Sequence, residues 1–480
     1  MPRKGGKAIA SGSYGCVFRP ALECKGQDKL YNGVSKLMYT ENANEEMDEM
    51  EPIFKVVKKL PNSHKYFAVS DTHMCQPKPL DEGDKYEFDK KCDNFVKDGI
   101  NAANVNNNLD ELSIINMPDL GRDLHEYVEE QNPFSEESFK KFNKMMINLL
   151  VNGVVPMNKS NVLHHDLKDT NIMVDKDDNT IIIDWGFAGI SNPREPVPLN
   201  IIGRPIQYNT PFSSMLINKT FVKEYKKVCE RMAKKPLSNK QNKSFVQQYY
   251  AFHIKRNVGH EGYLKQTIPY VFPGETLMNL LTNYDAQVLD AFTNGCDFDM
   301  VKYFKEVYIF NVDVWGACTV FLQFLKYKDM LQRLPENIQA RAFSIYKEIL
   351  LDICFKNGNE RINVDKIVEL LSELSGENYI IKSTKNTKST KSKKSTKSKK
   401  SLTFPDIPQT SPRGKDSLTT VRVDEPEGDK EPSVNELASR KSSKTKTRRK
   451  RCPRGYRRHP KTKRCTIMSG PDKGKEIDTA

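Results

Sequence analysis

The stretch VLHHDLKDTNIMVDKDDNTIIIDWGFAG, residues 162–189, limits what this chain can fold into more than any other. Asp166, Lys168 and Asn171 fall in a polar loop, and Asp184 closes the short apolar run Ile181-Ile182-Ile183. Short apolar runs bounded by Asp and Asn predict a β-hairpin, in which NIMVD and TIIID pair and DKDDN turns between them. VLHHDL leads into the loop. Pairing brings Asn171 beside Asp184, two oxygen donors of the kind that hold Mg²⁺ on a nucleotide phosphate. Asp166 is left to orient a hydroxyl nucleophile and take its proton.

HHDLKDTN followed by DWG resembles the catalytic loop and metal-binding turn of eukaryotic-type protein kinases, H-R-D-L-K-x-x-N and D-F-G. Four functional positions fall at that family's spacing. The resemblance implies Asp166 and Lys168 as catalytic residues, Asn171 and Asp184 as Mg²⁺ ligands, and ATP as the phosphoryl donor. His165 departs from the pattern by replacing the arginine of H-R-D. That arginine normally holds a phosphorylated activation loop, so its loss implies activity without such phosphorylation.

Other elements of the pattern follow in the order the family requires. IASGSYGCVF (9–18) reads as strand, glycine turn, strand, and resembles the phosphate loop G-x-G-x-x-G-x-V. Ala10 replaces the first glycine; Gly12, Ser13, Gly15 and Val17 fill the rest. Glycines there let backbone N–H groups approach phosphate oxygens. GVSKLM (33–38) resembles V-A-I-K and makes Lys36 the α/β-phosphate ligand. A helix over 41–60 carries the apolar stripe Met50, Ile53, Val57 and Leu60. By resemblance one of its glutamates pairs with Lys36, and Glu45, Glu46, Glu49 and Glu51 compete. Glu49 is favoured because Ile53 lies one turn on; Glu46 is in line with the stripe, and Pro52 sits awkwardly in the helix.

KYFAVSD reads as a strand, and the polar remainder of 66–110 as a loop insertion. ELSIINMPDLGRDLHEYV then reads as a strand and connector, the hinge between two lobes. Met117 would back the adenine pocket, and the Pro118 carbonyl and Leu120 N–H would face the adenine edge. Residues 135–157 form an amphipathic helix capped by Ser135, with Glu136 and Glu137 in its first turn. GRPIQYNTPFSSMLI (203–217) stands where the activation segment ends in A-P-E. Pro211 matches, and Phe212 replaces the glutamate. NVDVWGACTVFLQFL resembles the buried helix D-x-W-S-x-G, with Asp313 and Trp315 under the catalytic loop. GNERINVDKIVELL (358–371) resembles N-P-x-x-R-x-T, whose arginine, here Arg361, lacks its usual glutamate partner. The interval between Pro211 and Asp313 is several times the family's. Its 222–256 portion is helical in pattern, basic and tyrosine-bearing, and reads equally as a docking insertion or as a solvated elaboration of the lower lobe.

Charge separates the body from the tail. Residues 381–480 hold 29 Lys/Arg and 11 Asp/Glu, a balance of +18, while the rest is near neutral. KSTKNTKSTKSKKSTKSKK has nine lysines, no acid and almost no apolar content, so a disordered segment is expected. Cys452 and Cys465 enclose a second basic stretch. It resembles short C-P-x-G-x-R repeats in proteins of large DNA viruses, which points to a viral origin and a place in a virion. The start, MPRKGGKAIASG, has no apolar core of a signal peptide, and 307–325 contains Asn311 and Asp313 and reads as a buried helix, not a membrane span. Eight of the ten cysteines lie in 1–380 without metal-like spacing and are expected as reduced, buried thiols of an intracellular protein, in cytoplasm or nucleus of a host cell; Cys452 and Cys465 are too few for a tetrahedral zinc site unless His459 joins them.

These readings combine into an α+β, two-lobed protein-kinase-like fold: a β-rich lobe and hinge over 1–119, a helical lobe over 120–379 with an insertion at about 213–306, and a disordered basic tail over 380–480. The implied function is a serine/threonine protein kinase using ATP and Mg²⁺ on protein substrates, because Lys168 two residues after Asp166 is the serine/threonine pattern. A small-molecule phosphotransferase shares H-x-D-x-x-x-x-N and I-D-W but usually lacks that lysine. A kinase-like scaffold or nucleic-acid-associated protein would depend on the tail alone.

The tail reads equally as a localisation signal or solubilising segment and as a nucleic-acid contact without sequence preference that releases counterions. On the second reading, deleting 381–480 should abolish DNA and RNA binding and leave phosphoryl transfer to a peptide unchanged. Affinity of the full chain should fall steeply between about 50 and 200 mM salt. Filter binding measures both; equal duplex-DNA binding by a 1–380 fragment would place the contact elsewhere.

Overall fold

A computed structural model describes residues 6–11, 15–26, 33–69, 72–232, 235–253 and 260–377, with short strand segments at 380–381, 401–402, 456–458, 465–467 and 476–477. The chain divides into two compact units, Met1–Pro405 and Asp406–Ala480. The first begins with a five-stranded sheet in the order β1-β2-β3-β5-β4. Its strands are β1 (Lys7–Ser11), β2 (Gly15–Arg19), β3 (Gly33–Tyr39), β4 (His73–Cys75) and β5 (Leu112–Pro118).

Alternation decides which face each residue of this sheet lines. Val17 pairs with Lys36, Lys36 with Ile115, and Val34 with Met117, so these side chains share one face. On that face Met38 and Ile115 pack with Ala43 of helix α1 (Thr40–Val57). The opposite face carries Phe18, Leu37 and Ile114, which pack with Phe88, Phe95 and Val105. Residues 66–110 therefore differ from the loop expected there. Short helices Phe88–Lys91 and Asp93–Lys97 and the turn Val105–Glu111 cover the sheet. KYFAVSD also differs: it begins in the helical turn Ser63–Tyr66, and among its described residues only Phe67 makes a β-bridge, to Ile182.

The cysteines correct a second expectation. Cys16–Cys92 ties β2 to the covering segment, Cys24–Cys75 ties the chain after β2 to β4, and Cys229–Cys296 joins two distant parts of the helical lobe. Cys318 and Cys354 are free thiols, both buried. Spacing along the chain carries no trace of these pairs, because each spans more than fifty residues and is made by tertiary packing.

After β5 come β6 (Arg122–Asp123), α2 (Leu124–Glu130) and α3 (Glu136–Asn148). Ser135 caps α3, accepting from the Ser138 N–H while the Ser138 hydroxyl returns the bond. The helix continues through a π-helical stretch, Leu149–Val154, into Val155–Lys159. Next, β7 (Val162–Leu163), β8 (Ile172–Val174), β9 (Thr180–Ile182) and β10 (Gly189–Ile190) frame the polar loop. β8 and β9 form the expected hairpin, with Ile172 opposite Ile182; Asp175 closes its turn by accepting from the N–H groups of Asp177 and Asn179.

Among the described residues the 213–306 segment holds four helices of twelve residues or more, α4 (Lys219–Met232), α5 (Asn239–His253), α6 (His260–Val271) and α7 (Leu277–Phe292). A hairpin of β11 (Thr293–Asn294) and β12 (Asp297–Phe298) follows. The centre of the lobe is α8 (Ile309–Cys318), apolar on nearly every side and buried along its length. Among the described residues no helix is long and apolar enough to cross a membrane. Helices α9 (Glu336–Lys347) and α10 (Val364–Ser375) close the lobe.

In the second unit, Tyr456–Arg458, Cys465–Ile467 and Glu476–Ile477 form an antiparallel sheet with Cys465–Ile467 in the middle. The basic cassette thus carries paired strands where a disordered tail was expected; Cys452 and the lysine-rich run lie outside the described residues.

Phe212, the residue in place of a glutamate, is fully buried. Its ring meets Tyr284, Trp315 and Phe355 with centroids 5.7, 5.0 and 5.5 Å away. Arg361 has found other partners: its guanidinium lies 3.7 Å from the Phe310 ring centroid, and its Nε donates to the Glu306 carbonyl at 2.7 Å. Phe212→Ala should cost about 3–5 kcal/mol by emptying that aromatic box. Phe212→Glu, which restores the family's residue, should cost more, because a carboxylate there would be buried without its arginine. Chemical denaturation of the two variants measures the order.

Candidate active site

The site is built on one buried carboxylate. Asp313 of α8 accepts from the backbone N–H of His164 at 2.9 Å and of His165 at 2.8 Å, and from Asn158 Nδ2 at 2.7 Å. This fixes the loop's backbone before any of its side chains is placed. Gly316, one turn further along α8, lets the loop approach: a Cβ there would lie 2.4 Å from the Leu167 carbonyl oxygen. His165 takes φ +63°, a left-handed conformation in which a non-glycine residue is uncommon.

Asp166 is 3% exposed. Its Oδ1 accepts from Asn209 Nδ2 at 2.9 Å, and its Oδ2 from Lys168 Nζ at 3.0 Å and Asn171 Nδ2 at 3.2 Å. Burial pushes the carboxyl upward, but the Lys168 charge and the hydrogen bonds from Asn209 and Lys168 outweigh it and hold Asp166 below the ordinary carboxylate range. An ionised carboxylate offers about four acceptor positions, so the three donors leave one for a hydroxyl.

His164 links this loop to the turn at Asp184. Its Nδ1 accepts from the Asp166 N–H at 3.3 Å, so its Nε2 carries the proton and donates to the Ile183 carbonyl at 2.8 Å. The Ile183 N–H in turn donates to the Asn171 carbonyl at 3.1 Å. Asp184 follows at φ +61° with its carboxylate exposed. Asn171 spends its Nδ2 on the Asp166 carbonyl at 2.8 Å and on the carboxylate, which turns its amide oxygen to the other side. An amide oxygen and an exposed carboxylate are hard donors, a set that fits Mg²⁺. Trp185, next in the chain, is buried against Phe54 of α1, Phe67 and His164.

On the sheet side, Lys36 Nζ lies 2.7 Å from both carboxylate oxygens of Glu46. The expectation that favoured Glu49 is corrected. The buried face of α1 runs through Ala43, Met50, Ile53, Phe54 and Val57; Glu46 sits one turn from Ala43 and from Met50, whereas Glu49 is exposed. Pro52 lies inside the helix without ending it. Ala10 pairs with Val17, and Gly15 opens β2 opposite Met38. Gly12 and Ser13 lie outside the described residues. Ile115, not Met117, stands directly opposite Lys36; Met117 is two residues on along the same face, opposite Val34. Pro118 ends β5, and Leu120 follows partly exposed. Arg19 ties β2 to this connector through Asp119 at 3.2 Å and the Gly121 carbonyl at 2.9 Å.

The structure thus gathers Asp166, Lys168 and Asn171 into one hydrogen-bonded group and sets Asp184 at the end of the neighbouring strand. The residue that sequence reasoning missed is Asn209. It lies two positions before Pro211, in the stretch matched above to the end of the activation segment, and joins Asp166 across 43 residues of chain.

Residues 94–211 match the family model described as the protein kinase domain. No curated protein matches the chain. The matched span runs from the cover of the sheet through β5, the polar loop and the hairpin to Pro211, and the chain is protein-kinase-like across it.

Two outcomes follow from this geometry. Glu46→Gln should loosen the Lys36 contact and lower nucleotide affinity, while Glu49→Gln should leave it unchanged; titration with ATP separates them. Asn209→Ala should raise the Asp166 carboxyl toward its ordinary value. A carboxyl held low in the folded state contributes stability that is present above its unfolded value, about 3.9, and lost as pH falls through the folded one. The stability gap between wild type and Asn209→Ala should therefore be wider at pH 7 than at acid pH.

Proposed function

We propose that the chain is a protein kinase that transfers the γ-phosphoryl group of ATP to serine or threonine hydroxyls of protein substrates. The observation that carries this reading is the Asp166 group: an ionised carboxylate with one acceptor position open, beside a lysine and an amide already hydrogen-bonded to it. In-line phosphoryl transfer asks a protein mainly for positioning and for charge neutralisation. Asp166 would accept the hydrogen bond of the substrate hydroxyl, orient its oxygen and take its proton. Lys168 would neutralise the phosphoryl group in flight. Lys36, steadied by Glu46, would hold the α- and β-phosphates. Asn171 and Asp184 would hold Mg²⁺, which supplies charge neutralisation across the phosphates when bound. Lys168 at its place two residues after Asp166 supports serine or threonine as acceptor.

The test is transfer of labelled phosphate from ATP to protein mixtures, with Asp166→Asn as control. Lys36→Ala and Asp184→Ala should each leave less than about a tenth of wild-type turnover, since each removes several kcal/mol of phosphate stabilisation. Both groups are polar and reach solvent, so cooperative thermal unfolding should stay near wild type. A variant that keeps more activity would show its residue to be misassigned, and an Asp166→Asn protein as active as wild type would refute the reading.

A further inference from the structure

The segment between the metal-binding turn and Pro211 is held to the catalytic loop by an arginine of its own. Arg204 is 5% exposed. Its Nη1 donates to His165 Nδ1 at 2.6 Å and to the His165 carbonyl at 3.3 Å, and its Nε donates to the Asn200 carbonyl at 3.0 Å. The guanidinium lies 4.0 Å from the centroid of the Phe187 ring. One side chain therefore joins the loop, the residue after D-W-G and the middle of the segment.

Donor and acceptor directions extend this contact into a chain. A guanidinium only donates, so His165 Nδ1 must accept and His165 Nε2 must carry the proton. That proton points to Tyr308 Oη at 2.7 Å; Tyr308 then donates to Ser214 Oγ at 2.9 Å, and Ser214 to the Pro211 carbonyl at 2.8 Å. All four side chains are buried. Both ends of the segment, at Phe187 and Pro211, are thus fastened to His165.

We propose that Arg204 is a positioning residue that keeps residues 188–211 in their working place without phosphorylation; the inference rests on the kinase reading above for its effect on rate. In the resembled pattern the positive charge sits on the loop, and the segment must acquire a negative one. Here the polarity is reversed, with the donor on the segment and a neutral acceptor on the loop. The segment's hydroxyls agree with this. Residues 188–211 contain three, on Ser191, Tyr208 and Thr210. Ser191 and Thr210 are buried, and the Ser191 hydroxyl donates to the Pro196 carbonyl at 2.8 Å. The Tyr208 ring stacks on His260 at 5.2 Å and meets the Tyr263 ring edge-on at 5.4 Å. Ser191 and Thr210 are thus withdrawn from a modifying enzyme, and Tyr208 is half-buried.

The test uses full-length protein treated with phosphatase and shown by intact mass to carry no phosphate. Amide hydrogen exchange is followed over 188–211, with β5 as internal reference, in wild type, Arg204→Ala, Arg204→Lys and Tyr308→Phe. Phosphate-free wild type should be protected across the segment. Arg204→Ala should exchange there at least about tenfold faster, as expected for losing buried, charge-assisted hydrogen bonds, while β5 stays unchanged. Arg204→Lys, which keeps a charged donor, should recover part of the protection. Turnover should fall about tenfold in Arg204→Ala with KM for ATP within about twofold, because Lys36 and Glu46 are untouched. Tyr308→Phe removes one hydroxyl and keeps the packing; it should shift both readouts in the same direction by less, even where Arg204→Ala fails to fold. Unchanged segment exchange in Arg204→Ala, or loss of protection in wild type on dephosphorylation, overturns the proposal. Wild type that is protected but transfers no phosphate to any protein refutes the kinase reading and leaves the clamp standing.

Discussion

Asp313 is the contact on which the rest of the site depends. A carboxylate with no solvent exposure is costly unless donors surround it, and here two successive backbone N–H groups and an asparagine amide do so. Burial holds its carboxyl above the ordinary carboxylate range, and the hydrogen bonds from His164, His165 and Asn158 offset part of that rise by favouring the charged form that accepts them. The bonds run both ways in consequence. They make the buried charge tolerable, and they fix the backbone at 164–165, from which Asp166 projects. With that backbone set, His164 reaches the Ile183 carbonyl and His165 meets Arg204 and Tyr308. The polar loop, the turn at Asp184 and the downstream segment therefore share one buried reference point.

Around that point the chain replaces ion pairs with packing. Where the resembled pattern has a glutamate and an arginine in contact, Phe212 fills a box of Tyr284, Trp315 and Phe355, and Arg361 turns to the Phe310 ring and a backbone carbonyl. Tyr284 comes from α7, inside the extra helical segment between Pro211 and α8. That segment is thus joined to the stretch around Pro211 by a shared apolar cluster. Such an anchor does not depend on ionic strength as an exposed ion pair does.

The elements legible in the sequence are those whose determinants are local. The β8–β9 hairpin follows from two apolar runs and an Asp-rich turn, α8 from an apolar run around Asp313, and the α3 cap from Ser135 ahead of two glutamates. What was not legible depends on rotation or on distance along the chain. Choosing Glu46 over Glu49 requires the angular position of the buried face of α1, and a stripe begun at Met50 leaves out Ala43, which fixes it. The cover over the sheet was missed because its apolar anchors, Phe88, Phe95 and Val105, are scattered through a polar stretch with no period. The disulfides and the Asn209 and Arg204 contacts join residues far apart in sequence, and no spacing rule reaches them.

The central claim is that Asn171 and Asp184, set by the hairpin beside the Asp166 group, make a Mg²⁺-dependent nucleotide site. Calorimetric titration of a non-hydrolysable ATP analogue, with and without Mg²⁺, into wild type and Asp184→Asn tests it directly. The account predicts that Mg²⁺ tightens binding to wild type at least about tenfold, a difference of 1.4 kcal/mol, and that Asp184→Asn loses most of that gain. Equal affinity with and without Mg²⁺, or the same gain in the variant, would contradict it.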